Sequence, residues 1–166
     1  MEEKKINKKV LNARIEIEKL YSGVYTDPIV LISCAKKQNC GTHPAKDLYN
    51  STLFKCSLKA AYKITKPNKI FILSTKNGLV HLTQKIKDYN EKDPKKFWGS
   101  WVNWGTKIVS QLQQHGFNLA NENIISLASK KYNDAINAAL VTSGYNVLLI
   151  EPLKGLRQGE RMAALG

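Results

Sequence analysis

Four short apolar runs constrain this chain more than any other feature. They are "PIVLIS" (28–33), "KIFILS" (69–74), "NIISLA" (123–128) and "NVLLIEP" (146–152), dense in Ile, Leu and Val with no polar alternation. A strand of that texture is buried on both faces, so helices must cover the sheet above and below. The intervening segments have helical spacing. Residues 45–65 carry Leu48, Leu53, Phe54, Leu58, Ala61 and Tyr62, and Pro67-Asn68 ends them. Asp93-Pro94 starts a helix that runs through three tryptophans to about His115, where Gly116 stops it. Residues 131–142 form another helix, and a last short one begins near Leu156. Strands alternating with helices imply right-handed βαβ crossovers. The expectation is a three-layer α/β fold with a four-stranded parallel sheet from residues 29–33, 69–73, 123–128 and 146–150. Residues 3–21, with Ile6, Val10, Ile17 and Leu20 on a helical period, add an N-terminal helix ended by Gly23. The organisation expected is an N-terminal helix over 1–23 and a single α/β domain over 24–166.

A chain of 166 residues with 43% apolar content suffices for one such core. Its 26 Lys plus Arg against 13 Asp plus Glu leave a net charge of +13. That excess suits a polyanionic partner, and it also fits a solvated, lysine-heavy surface. Three unevenly spaced cysteines, Cys34, Cys40 and Cys56, do not make a disulfide framework and suggest a reducing compartment. The N-terminus has no apolar core of signal-peptide length, and no run approaches the roughly 18 apolar residues of a membrane span. A cytoplasmic protein with no membrane association is expected.

In open α/β sheets, ligands sit beyond the carboxyl ends of the strands. The first run leads into Ser33, Cys34, Lys36 and Lys37, and the second ends in Ser74 and continues as Thr75, Lys76, Asn77 and Gly78. The third leads into Ser129, Lys130, Lys131 and Tyr132, and the fourth into Glu151, Pro152, Lys154, Gly155, Arg157 and Gly159. Every strand end therefore carries a cation.

Each motif has a bland reading beside a functional one. Cys34 next to lysines is either a lowered-pKa nucleophile or a small residue packed under a loop. Cys34, Cys40 and His43 offer three metal donors without a fourth or a paired motif, so no metal and no cofactor are expected. In "DLYNSTLF", Asp47 and Ser51 are rim candidates, and Tyr49 is either a stacking group or a packed aromatic. Lys76 before Asn77-Gly78 is either a phosphate-binding cation or a solvated turn residue. "EPLKGLRQGERM" looks like an anion cradle, with Gly155 freeing backbone amides and Arg157 nearby. Trp98, Trp101 and Trp104, after Lys95 and Lys96, either pack on the sheet or form a platform for unstacked bases.

Taken together, "LISCAKK", "PAKDLYNSTLFKCSLKAA", "FILSTKNGL" and "PLKGLRQGERMAAL" resemble, in order, a family of uncharacterised bacterial and phage proteins over residues 28–165. Its pattern is Ser-Cys-x-x-Lys, Asp-Leu-Tyr-x-Ser-x-Leu-Phe, Leu-Ser-x-Lys-x-Gly-Leu and Pro-Leu-x-Gly-x-x-x-Gly. The family looks like a remote relative of the uracil-DNA glycosylase-like superfamily, which implies the same parallel α/β sheet. Where the family has Ile-x-Pro-Tyr-Asp, this chain has Ile86, Lys87, Asp88, Tyr89 and Asn90. The proline is absent and the carboxylate is displaced to Asp88. The superfamily's water-activating motif is not recognisable in "SCAKKQN".

The resemblance and the basic strand ends imply chemistry on the nucleobase–sugar bond of a nucleic acid or nucleotide, in the manner of a DNA glycosylase, and a defence or anti-defence setting suits it. Departure of a base builds charge that lysines, arginines and backbone amides can stabilise. Lys76 is the first candidate for catalysis, with Asp88, Asp47 or Glu151 to orient water. Substrate and phosphate contacts are expected from Ser33, Cys34, Lys36, Lys37, Tyr49, Ser51, Ser74, Asn77, Gly78, Tyr89, Glu151, Lys154, Gly155 and Arg157. The alternatives are a non-catalytic DNA- or RNA-binding protein, with DNA the preferred partner, and a protein that binds a nucleotide or nucleotide-sugar.

Overall fold

In the computed structural model, which describes residues 7–90 and 93–166, the chain runs α1 (Lys8–Tyr21), β1 (Ile29–Ser33), β2 (Thr42–Pro44), α2 (Ala45–Leu48), α3 (Thr52–Ile64), β3 (Ile70–Ser74), β4 (Gly78–His81), β5 (Lys85–Lys87), α4 (Lys95–Trp98), α5 (Trp101–Gln114), β6 (Ile124–Ser126), α6 (Lys130–Thr142) and α7 (Gln158–Leu165). The expected start of the first helix at residues 3–6 lies outside the described residues. Asn7 begins α1 instead, its side-chain oxygen accepting from the amides of Lys9 and Val10.

The main sheet has the order β4-β3-β1-β6. β1 pairs parallel with β3, Val30 opposite Ile70 and Ile32 opposite Ile72, and parallel with β6, Ile29 opposite Ile124. Successive β1 residues serve opposite faces. Val30 and Ile32 meet α1, α3 and α7 through Ile17, Phe54, Ala61 and Leu165. Ile29 and Leu31 meet α5 and α6 through Trp104, Ile108, Ile136 and Leu140. The result is helix, sheet and helix in three layers. Each large side chain so buried contributes about 1.5–3 kcal/mol. α1 belongs to this core: Ala13, Ile17 and Leu20 are buried in it.

The sheet is mixed rather than wholly parallel, and its fourth strand is not the expected one. β4 folds back antiparallel on β3, Leu73 opposite Leu79 and Ser74 opposite Gly78. The Asn77-Gly78 turn makes this possible, because Gly78 holds φ +75°, a left-handed value that side chains resist. Residues 146–150 only touch the opposite edge. Ile150 donates its amide to the Ile124 carbonyl at 2.8 Å and accepts from Ser126 at 2.9 Å, a single parallel bridge. One residue earlier, Leu149 gives its amide to the Asn137 side-chain oxygen at 2.8 Å.

Two expected helices are each split by a cap. Ser51 accepts from the Phe54 amide at 3.1 Å and starts α3 afresh after α2. Gly99 at φ +83° ends α4, and Ser100 accepts from the Asn103 amide at 3.0 Å to begin α5. Asp93 acts as the sequence suggests, its carboxylate accepting from the Lys95 amide at 2.9 Å.

The helices α5 and α6 approach closely at Gly105. A Cβ there would overlap the Ala135 carbonyl oxygen and lie 2.7 Å from its carbon. Gly105→Ala is expected to cost about 1–2 kcal/mol, because backbone rather than a flexible side chain has to yield. A thermal melt followed by circular dichroism checks this, and an unchanged midpoint would contradict the close approach.

Candidate functional site

The carboxyl ends of β1, β3 and β6 open into a cleft of about 520 Å³. Ser33, Cys34, Ala35, Lys36 and Gln38 line it after β1, and Thr75 after β3. Tyr89 and Asn90 come from the loop after β5, Ser129 and Tyr132 from the start of α6, Gln158 from the start of α7, and Leu53 from α3. Among the described residues no carboxylate lines this cleft.

Behind the wall runs a chain of hydroxyls. Ser74, fully buried, accepts from the Asn77 amide at 2.9 Å, and its oxygen lies 2.8 Å from the Tyr89 hydroxyl. That hydroxyl lies 2.7 Å from the hydroxyl of Tyr49. The Tyr89 amide donates to the Gln38 side chain at 2.9 Å. On the opposite wall the Cys34 sulfur lies 3.6 Å from the Tyr132 hydroxyl. Burial, reinforced by the nearby Cys34 thiol, raises the pKa of Tyr49, Tyr89 and Tyr132 well above the ordinary tyrosine value. All three are neutral hydrogen-bonding groups at physiological pH.

With folded pKa values raised, the unfolded chain releases these protons first, so the contribution is complete below about pH 10 and is lost as pH rises beyond it. Absorbance titration is expected to find three tyrosines that ionise only together with alkaline unfolding. Ionisation of all seven tyrosines near pH 10 in a still-folded protein would contradict the buried hydroxyl chain.

The structure gathers some sequence-derived candidates and disperses others. Ser33, Cys34, Lys36 and Tyr89 share the cleft, and Lys37 and Ser51 line a second cavity that joins it through Ser33, Cys34 and Lys36. Lys76 is exposed beside it, its Nζ 5.9 Å from the ring centres of Tyr89 and Phe97. Ser74, Asn77 and Gly78 form the turn behind the wall. Tyr49 is 2% exposed and packs on Phe54, so it supports Tyr89 and offers no stacking face.

The three carboxylate candidates stand apart from the cleft wall. Asp88 accepts from the Gly41 amide at 3.1 Å, bracing the β2–β5 ribbon. Asp47 is exposed on α2. Glu151 accepts from Asn133 at 3.1 Å and Asn137 at 3.2 Å, and with Lys154 and Gly155 it lines a third cavity. Arg157 is exposed at the cap of α7, its amide donating to Glu160 at 3.0 Å.

The tryptophans serve the fold rather than a base platform. The Trp104 indole N–H donates to the Ser74 carbonyl at 2.9 Å, and that of Trp98 to the Thr75 carbonyl at 3.1 Å. They tie the carboxyl end of β3 to α4 and α5. Trp101 packs edge-on against Trp104 and Tyr132. Among the described residues no group of three His, Cys, Asp or Glu is placed to hold a metal ion, and no helix is long and apolar enough to cross a membrane.

Sequence reasoning missed Gln38, Ser57, Gln158 and Arg161. Two of these left a signal. Ser57 shares its helix face with Phe54, Ala60, Ala61 and Ile64, and Arg161 shares one with Ala164 and Leu165. A polar group on an apolar stripe must either bond within the core or line a cavity.

Fold and site together define an α/β protein of three layers with a polar cleft at the carboxyl edge of a mixed sheet, lined by no carboxylate among the described residues. The chain belongs to the family of unknown function DUF6884, whose profile matches residues 29–166. No curated protein and no solved structure matches it.

Proposed function

We propose that this protein recognises a phosphorylated nucleoside, either a free nucleotide or a unit of a nucleic-acid strand, in the cleft at the carboxyl ends of β1, β3 and β6. One observation carries the reading. The wall offers hydroxyl, thiol and amide groups with lysines around it, and among the described residues it holds no carboxylate to repel an anion. Tyr89 and Tyr132 add aromatic surface and neutral hydroxyls, which suit a polar heterocycle. The net charge of +13 attracts a polyanion to the protein, and Lys36, Lys37 and Lys76 stand at this edge.

Chemistry on the base–sugar bond is the reaction class proposed for the site. In hydrolysis the C1′–N bond breaks, water oxygen bonds to C1′, and one proton reaches the departing base. Asp88 and Glu151 are engaged elsewhere, so acceleration would come from stabilising the leaving base with the wall's donors and lysines. The same engagement favours a second reading, binding of single-stranded nucleic acid without catalysis.

The test is equilibrium binding of a single-stranded oligonucleotide over a salt series, with chromatography for released base. The logarithm of affinity is expected to fall against log salt by about 0.7 per contacted phosphate. Free base in the product selects the catalytic reading, and binding without it the second. No binding of oligonucleotide or mononucleotide at low salt would overturn both.

A further inference from the structure

Beneath the cleft, a second cavity of about 320 Å³ reaches down between α3 and α7. It shares Ser33, Cys34, Lys36, Ser129 and Gln158 with the cleft, so the two spaces are continuous. Two deeply buried polar side chains line its floor, Ser57 at 4% exposure and Arg161 at 7%.

Arg161 is held by carbonyls rather than by a counter-ion. Its Nε donates to Leu156 at 3.1 Å, and its Nη1 to Ala128 at 2.9 Å and Leu127 at 3.4 Å. Among the described residues it joins no ion pair. Burial disfavours its charge, and the nearby Glu151 carboxylate, itself bonded by Asn133 and Asn137, only partly offsets this. The guanidinium remains protonated at any pH at which the protein is folded. Its Nη2 makes no hydrogen bond to the described residues, nor does Ser57 Oγ, and neither atom is sealed from the cavity.

A cation bonded only to carbonyls and a hydroxyl without a partner in the chain both face this cavity, and one anionic ligand can satisfy them together. We propose that Arg161 and Ser57, with Lys36, Lys37 and Gln158 above them, form an oxyanion subsite that takes the phosphate group of the ligand while its nucleoside lies in the upper cleft. The orientation rests on the nucleotide reading given above; the anion site itself does not. With Nε and Nη1 held by carbonyls, the uncommitted Nη2 supplies a charged N–H donor to a phosphate oxygen. Ser57 adds a hydroxyl donor from α3, fixed by the helix.

Ser57→Ala is the informative variant. It leaves the net charge unchanged and breaks no bond within the chain, so a general attraction of phosphate to surface lysines is unaffected. Titration calorimetry is run with inorganic phosphate, a nucleoside and its 5′-monophosphate. The wild-type protein is expected to bind the monophosphate at least about tenfold tighter than the nucleoside. Ser57→Ala is expected to weaken monophosphate and inorganic phosphate by about tenfold, the scale of one hydrogen bond to a charged group, with nucleoside affinity and melting midpoint unmoved. Arg161→Lys, which keeps the charge but loses the Nη2 donor, should shift the same two ligands. Monophosphate binding that is tight and indifferent to both substitutions would overturn the subsite while leaving nucleotide recognition intact. Phosphate binding that depends on Ser57, with neither nucleoside nor monophosphate bound, would retain the subsite and overturn the nucleotide reading. A wild-type protein that binds none of the three would overturn the subsite as well.

Discussion

Trp104→Ala is expected to destabilise the protein by about 3–5 kcal/mol, the range for emptying a fully buried aromatic site. Three effects combine. The side chain has no exposed surface, and its removal leaves a cavity between β3, α5 and α6. The Ser74 carbonyl loses the indole N–H at 2.9 Å, which adds the penalty of an unmet buried acceptor. Trp101 and Tyr132, each 5.4 Å from the Trp104 ring by centroid, lose the surface they pack on. At roughly 2–4 °C per kcal/mol for a chain of this size, the melting midpoint should fall by about 6–20 °C. Trp104→Phe refills part of the space without restoring the N–H and should fall between the two. A loss below about 1 kcal/mol for the alanine variant would mean that the carboxyl end of β3 is not held as described.

The combined variant Lys36→Met, Lys37→Met and Lys76→Met is expected to lower affinity for single-stranded DNA by about a hundredfold or more at low salt, and to reduce the salt slope by about 2, three contacts at 0.7 each. All three lysines are exposed, and none takes part in an ion pair among the described residues. Stability should therefore stay within about 0.5 kcal/mol per site. Lys76 has a small additional tie to the Tyr89 and Phe97 rings, each 5.9 Å from its Nζ, worth about 0.5–1 kcal/mol at an exposed position. Filter binding over a salt series measures both quantities. An unchanged slope would show that polyanions bind elsewhere on the surface.

The architecture was legible where burial alone decides it. "IVLIS", "IFILS" and "IIS" are apolar on both faces because helices cover both faces, and run length and composition record this directly. The fourth strand was misplaced because residues 146–150 have the same apolar texture. They meet β6 only at Ile150, and the Leu149 amide is taken by the Asn137 side chain, neither of which periodicity reveals. The true fourth strand follows Asn77-Gly78 and has only four residues, too few for a pattern. The two helix breaks depended on Ser51 and Ser100 acting as caps within otherwise continuous helical spacing.

The cleft was legible as a location. The topology rule points to the carboxyl edge, and Ser33, Cys34, Lys36 and Tyr89 line a cleft there. Its carboxylates were not legible, since an Asp that braces a backbone amide and an Asp that activates water are the same letter. Asp88 went to Gly41 and Glu151 to two asparagines. The buried floor has no motif: Arg157 follows the glycine turn and stays outside, whereas Arg161 is sent inward by its place on an apolar helix face.

The location of ligand binding can be tested without a substituted protein. Cys34 lines the cleft, whereas Cys40 is exposed outside it and reports general reactivity. Alkylation by iodoacetamide, read residue by residue by mass spectrometry, is compared with and without a saturating nucleoside 5′-monophosphate. A nucleotide bound in the cleft is expected to slow labelling of Cys34 by tenfold or more, about 1.4 kcal/mol of protection, while Cys40 reacts at an unchanged rate. Equal labelling of Cys34 in both samples would contradict nucleotide recognition at this site.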